Sequence, residues 1–290
     1  MIEIIPTVQG YKPDEIDERD KVYGKTEDPV ILLSGNWQTL PIKDEFQAER
    51  GFENYGCVIF TTLNATEKLA LLKFQEKWNK SERFTYIDSE TNPKDRGNSP
   101  RKVADSARNK GVIDEIDLPY DDTIRNIDEF NSPIPLPQFL KEKAKLWASK
   151  YDFSYDWLPI TNGIVSRETM RHALQRGCVG IVVYAWAIED GLYIRPQGAQ
   201  DTHLTFLENV KETDELEVFD SYTPASKVLH RNYPIFVAMR YNLNIKPLEE
   251  QLNTAQKSLI IILLEYVKQL VSKLYRVGGE ILSGIFSKTN

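Results

Sequence analysis

The chain has 290 residues, a net charge of −7, 41% apolar residues and 27% charged ones, enough to bury a substantial core in one large domain or two modest ones. The acidic balance argues against nucleic acid as a partner, because phosphate contacts need clustered Lys and Arg. Two cysteines, Cys57 and Cys178, exclude a disulfide scaffold and fit a reducing compartment.

The opening Met1-Ile-Glu-Ile-Ile-Pro-Thr7 has no basic region and no long apolar core, so it does not read as a secretory signal. No run of eighteen uncharged apolar residues exists, so no single transmembrane helix is expected. The setting implied is cytoplasmic or virion-associated. Residues 1–45 are polar and proline-punctuated, a loop-rich extension with one short strand expected at Val30–Leu33.

At Cys57 the pattern changes. Tyr55-Gly-Cys57 ends a polar stretch, and Ile59, Phe60, Leu63, Leu69, Leu72 and Trp78 then recur at three- and four-residue intervals, predicting a helix from Cys57 to about Trp78. Turn residues fill 88–100, and Ser99-Pro100 starts a second helix to about Asn109. Residues 114–137 are acidic and proline-rich, and further helices are expected over 136–151 and 166–176.

The second half is richer in β-branched and aromatic residues, with strands expected at 179–186, 192–195, 203–209, 215–220 and 235–241. Helices first and antiparallel strands second make an α+β fold, with a binding cleft between the halves. Beyond Pro247, Ile260, Leu263, Val267, Leu270, Leu274, Val277 and Ile281 form a heptad-like seam within 252–285. Three settings accommodate it: docking on the domain's own core, self-association or a partner helix, and a membrane surface.

The chemistry-bearing residues are Cys57, His203 and Asp220. Backbone N–H groups at a helix start and a nearby imidazolium favour thiolate over thiol, and the same N–H groups can hold an oxyanion. His203 opens one predicted strand and Asp220 closes the next, so neighbouring strands bring them together, with Asp220 expected to accept from Nδ1 and orient the ring toward the thiol. His172 and His230 each stand beside an arginine and read as ordinary surface residues. Cys178, in Gly177-Cys-Val-Gly-Ile181, reads as a buried strand thiol. No metal or cofactor is called for.

In these features the chain resembles the papain-like cysteine peptidases over about residues 46–245. Their nucleophile opens a long helix, as Cys57 does, and His203 follows 146 residues later, within the roughly 130–150 that the family uses. Phe219-Asp-Ser-Tyr222 looks like the family's Asn-Ser-Trp segment, Leu118-Pro-Tyr-Asp121 is similar to its Tyr-Pro-Tyr stretch, and Val179–Tyr184 looks like the strand before the histidine. The Asp-Ser-Tyr version is similar to divergent members from phage and uncultured bacteria.

The resemblance implies a two-lobed domain over 46–246, with Cys57 in a helical lobe and His203 and Asp220 in an antiparallel β lobe. It implies hydrolysis of amide bonds in a polypeptide or peptidoglycan-peptide substrate, without a cofactor. The other readings are a catalytically silent structural or virion component, and a cell-wall stem-peptide amidase or acyltransferase with the same triad. Asp220 stands where the family has asparagine. Gly51 holds the place of the family's oxyanion glutamine, which leaves Gln47 as the preferred donor and Asn54 as its competitor. No long basic or helical pro-segment precedes the domain, so inhibition by a cleaved one is not expected, and Gly97-Asn98 is a faint counterpart of the family's glycine-rich segment.

Overall fold

The computed structural model describes residues 10–248 except 16, 18–19 and 25–27, together with 3–4, 251, 259–260, 262–263 and 266–268. After a two-residue strand β1 (Glu3–Ile4), the helical half contains α1 (Cys57–Phe74), α2 (Glu82–Asp88), α3 (Pro100–Lys110), α4 (Ile127–Phe130) and α5 (Gln138–Lys150). The second half holds β2 (Tyr151–Trp157), α6 (Arg167–Leu174), β3 (Cys178–Val183), β4 (Ala187–Glu189), β5 (Leu192–Ile194), β6 (His203–Val210), β7 (Leu216–Phe219), β8 (Ser226–Leu229) and β9 (Ala238–Ile245). The strands form one sheet in the order β1-β4-β5-β8-β7-β6-β3-β9-β2, antiparallel except where β5 meets β8. This is the expected α+β class.

Helix α1 is the spine. Every residue from Cys57 to Ala70 is buried, the signature of a helix enclosed on all sides rather than one with a wet face. Each enclosed Leu, Ile or Phe contributes roughly 1.5–3 kcal/mol. Gly180 on β3 makes room for it, since a Cβ there would come within 3.1 Å of Thr61 Cγ2. Two polar contacts fix α1 against β6. Thr61 Oγ1 donates to the Leu204 carbonyl at 3.0 Å, and buried Lys68 meets Glu208 at 2.7 Å. Cys57 and His203, at corresponding ends of these elements, are thereby held in one frame. A smaller apolar cluster, built on Phe84, Ile113, Leu118, Leu136 and Leu140, supports the helical lobe separately.

Several sequence expectations need correction. Val30–Leu33 is not a strand: the Ile31 and Leu32 amides both donate to the Gln175 carbonyl, an irregular arrangement that gives no ladder. Helix α1 stops at Phe74, four residues short of the expected Trp78, because Gln75 adopts a left-handed φ of 59°. Tyr151, expected to end a helix, instead opens strand β2 (Tyr151–Trp157), which is paired along its length with β9. Strands β4 and β8 and helix α2 were not anticipated. Most of the C-terminal seam lies outside the described residues; Ile260, Leu263 and Val267, which are described, are exposed.

Candidate active site

Cys57 is the first residue of α1, with Gly56 as the N-cap. Its position puts the sulfur beside backbone N–H groups that no helical carbonyl can satisfy. His203 opens β6 and Asp220 directly follows β7, and the pairing of Phe206 with Phe219 brings them together. All three residues are fully enclosed.

The His203–Asp220 bond is 2.5 Å long, and it runs from Nε2, not from Nδ1 as the sequence suggested. Asp220 lies beyond the end of β7, so it reaches the far nitrogen of the ring. Nδ1 is the ring nitrogen left for Cys57, whose sulfur acts directly on the imidazole. Burial disfavours a charged imidazole, but the Asp220 carboxylate and the Cys57 sulfur outweigh it and push the His203 pKa up to about 10. Burial likewise opposes charge on Asp220, yet His203 and Lys227 hold its pKa below the ordinary value.

Two rings lie against His203, of which the sequence motif pointed to Tyr222 but not to Trp186. Trp186 lies edge-on to His203 at 5.5 Å and donates from its indole to Asp220 Oδ2 at 3.0 Å. Tyr222 lies tilted against the His203 ring at 5.2 Å. Together they exclude water from the His203–Asp220 bond and strengthen it.

Gln47 and Asn54 are both buried, but in different surroundings. The Asn54 amide nitrogen at 3.4 Å from the Gln47 carbonyl closes the loop between them, which is how the longer connection returns. Gln47 is tied to the histidine side: its backbone N–H donates to the Ser221 carbonyl, and its Oε1 accepts from Ser221 Oγ at 2.7 Å. Its Nε2 contacts the Tyr222 hydroxyl and Glu53 Oε1. Glu53 also accepts from the Tyr222 hydroxyl at 2.6 Å and the Tyr55 amide at 2.7 Å. Burial raises the Glu53 pKa against these hydrogen bonds. Asn54 instead turns its Oδ1 to the Gly56 amide at 2.8 Å.

The thiol is covered. A Cβ on Gly10 would stand 2.6 Å from Cys57 Sγ, so the N-terminal segment crosses directly over it. The segment is held on both walls. The Asn98 amide donates to the Gly10 carbonyl, the Lys12 amide donates to the Asn98 carbonyl, and the Tyr11 amide donates to the Thr202 carbonyl, at 3.0, 2.9 and 3.1 Å. Tyr11 and Asn98 run parallel. Further along, Arg101 binds Asp20, the Glu15 carbonyl and, through its amide, Asp14. The segment that lies over the sulfur is loop-like rather than helical. Gly97-Asn98 is where it docks.

The other candidates separate cleanly. Cys178 is buried in β3, and burial raises its pKa well above the ordinary thiol value. His172 is exposed and hydrogen-bonded through Nδ1 to the Tyr23 hydroxyl at 2.6 Å. No group of three or more His, Cys, Asp or Glu able to hold a metal occurs among the described residues, and none of their helices is long and apolar enough to cross a membrane.

The mixed α+β arrangement, with α1 packed against the long antiparallel sheet, matches the fold of papain-like cysteine proteases. Solved structures agree. Xylellain, a cysteine protease from Xylella fastidiosa, superposes with a TM-score of 0.60 at 18% identity, covering 83% of this chain and 97% of that one. The Carica candamarcensis cysteine protease CMS1MS2, in complex with E-64, gives 0.51 at 15% identity over 71% and 96% of the two chains. Digestive procathepsin L 3 of Tenebrio molitor gives 0.51 at 15% identity over 77% and 73%. No protein-family model and no curated protein matches the chain.

Proposed function

We propose that the protein is a cysteine peptidase that hydrolyses amide bonds through an acyl-enzyme on Cys57. The observation that carries this reading is the order Cys57, His203 Nδ1, His203 Nε2, Asp220 Oδ1, with the last contact at 2.5 Å and both ends buried. In the reaction, Cys57 sulfur bonds to the scissile carbonyl carbon and the carbonyl oxygen becomes an oxyanion. The Cys57 backbone N–H receives that charge, joined by Gln47 Nε2 once it turns from Glu53 and the Tyr222 hydroxyl. The imidazolium of His203 gives its Nδ1 proton to the leaving amine as the C–N bond breaks. Water then attacks the thioester, His203 takes its proton, and the acid leaves with the thiolate restored.

Residues 10–12 fill the space a substrate backbone needs, so this conformation is the covered form, and turnover requires their displacement. Peptide-library hydrolysis with Cys57→Ala and His203→Ala tests the assignment. Both substitutions should abolish turnover, since the two residues act as a unit. Turnover surviving Cys57→Ala would refute the acyl-enzyme.

A further inference from the structure

Asp220 has two carboxylate oxygens, and His203 uses one. The other accepts from Trp186 and lies 2.7 Å from the Lys227 ammonium. The Lys227 side chain is 1% exposed. Its remaining protons go to the Tyr222 carbonyl at 2.5 Å and the Pro224 carbonyl. Three donors meet three acceptors, so the ammonium is fully satisfied. Its Nζ also lies 5.4 Å from the Trp186 ring centroid and 5.8 Å from that of Tyr193.

Lysines are almost never buried without a partner, because removing an ammonium from water costs several kcal/mol. The hairpin uses this ammonium on two carbonyls of its turn, a task any N–H donor could perform. Lys227 pairs with Val218 across β7 and β8, and the Asp220 amide closes the turn on the Ala225 carbonyl at 2.7 Å. What requires a cation is the second oxygen of Asp220, which an asparagine at the same place would not present as charge.

We infer that Lys227 is a positioning residue for the triad: it neutralises Asp220, so that the buried Asp220–Lys227 pair offers His203 a hydrogen-bond acceptor carrying no net charge. An uncompensated carboxylate would orient His203 but hold it as imidazolium still more firmly, making it a poorer base in the second half of the reaction, when the Cys57 thiolate no longer adds its charge. Lys227 keeps the orientation and removes the excess charge. The charged or titratable groups facing this pair are Cys57 from α1, Glu53 and Tyr222 beside the ring, and Tyr193 from β5. Asp220→Asn is therefore not a mild change in this chain, because it strands Lys227. The inference rests on the peptidase reading above, and its test is separable from it.

The chain has three histidines, so ¹⁵N-histidine NMR resolves His203. In full-length Cys57→Ala, where the sulfur no longer contributes, Lys227→Met should raise the His203 midpoint by about one pH unit or more. Asp220→Asn/Lys227→Met should lower it below the starting value and should melt higher than Asp220→Asn alone, because the stranded ammonium is gone. An unmoved midpoint in Lys227→Met overturns the inference. If Lys227→Met does not fold, a folded double variant supports charge compensation, and an unfolded one refutes it. The titration reads His203 with or without turnover. A moved midpoint in a protein that cleaves nothing refutes the peptidase alone; an active peptidase with an unmoved midpoint refutes the role of Lys227 alone.

Discussion

Gly10 and Cys57 are in backbone-to-sulfur contact, with no room between them for even a methyl group. The closeness requires glycine at position 10, and it separates the nucleophile from any substrate. Chemistry and access are thus set by different parts of the chain.

Gly10→Val should uncover the thiol. Its added carbons would collide with Cys57 Sγ and the Tyr55 carbonyl, which cannot retreat into a packed helix start. Iodoacetamide labelling of Cys57 should accelerate about tenfold or more, the result of shifting the covered–open balance by roughly 1.4 kcal/mol. Cys178 should stay slow in both proteins. Equal rates for Cys57 in both would show that residue 10 does not gate access.

The oxyanion assignment separates Gln47 from Asn54. Gln47→Ala should lower kcat by about 10²-fold with little change in KM. Asn54→Ala should act mainly on stability, since Asn54 Oδ1 caps the Gly56 amide ahead of α1. If the kinetic losses fall the other way round, the two roles must be exchanged.

The helical lobe carries a buried acidic group. Glu67 and Glu82 are raised well above the ordinary carboxyl range, chiefly by burial and then by Glu45, and Glu115 is pushed up to about 7. Carboxyls with a raised folded pKa contribute stability below about 4.5 that is lost as pH rises through their folded values. His203, raised to about 10, adds a loss in the same direction above about 6.5. His172, lowered by burial, works the opposite way but is largely solvated. Tm should therefore fall from pH 5 to pH 8 by roughly 5 °C, and Glu82→Gln should flatten the slope. A Tm that rises across this window would contradict the assignment.

Among the described residues the buried core ends at Leu243, while Ile260, Leu263 and Val267 face solvent. Truncation after Pro247 should leave Tm within about 2 °C. If the seam self-associates, light scattering should show an oligomer become a monomer. Unfolding on truncation would return the segment to the core.

What the sequence disclosed follows from the range of the signal. Gly56-Cys57 marks a local switch from turn to helix, and His203 and Asp220 bound strongly β-forming segments, so each could be read from its neighbours. The partners that tune them could not. Lys227 reaches Asp220 only because an unrecognised short strand, β8, folds back on β7, and a lysine in Ser226–Leu229 reads as solvent-facing. Trp186 reads as an ordinary strand aromatic, and Tyr222 stands out only as the last position of the Asn-Ser-Trp-like segment. Tyr151–Trp157 alternates with a period of two, yet the preceding helical pattern masked it. Gly10 carried no local signal, since its role comes from what lies across the cleft.

The most direct test of the central claim is to treat full-length Gly10→Val with an epoxide inhibitor of the papain class and map the adduct by mass spectrometry. The account predicts one adduct, on Cys57, lost when Cys57→Ala or His203→Ala is added, together with peptide hydrolysis lost in the same two variants. A folded Gly10→Val protein that takes no adduct, or takes it on Cys178, would contradict it.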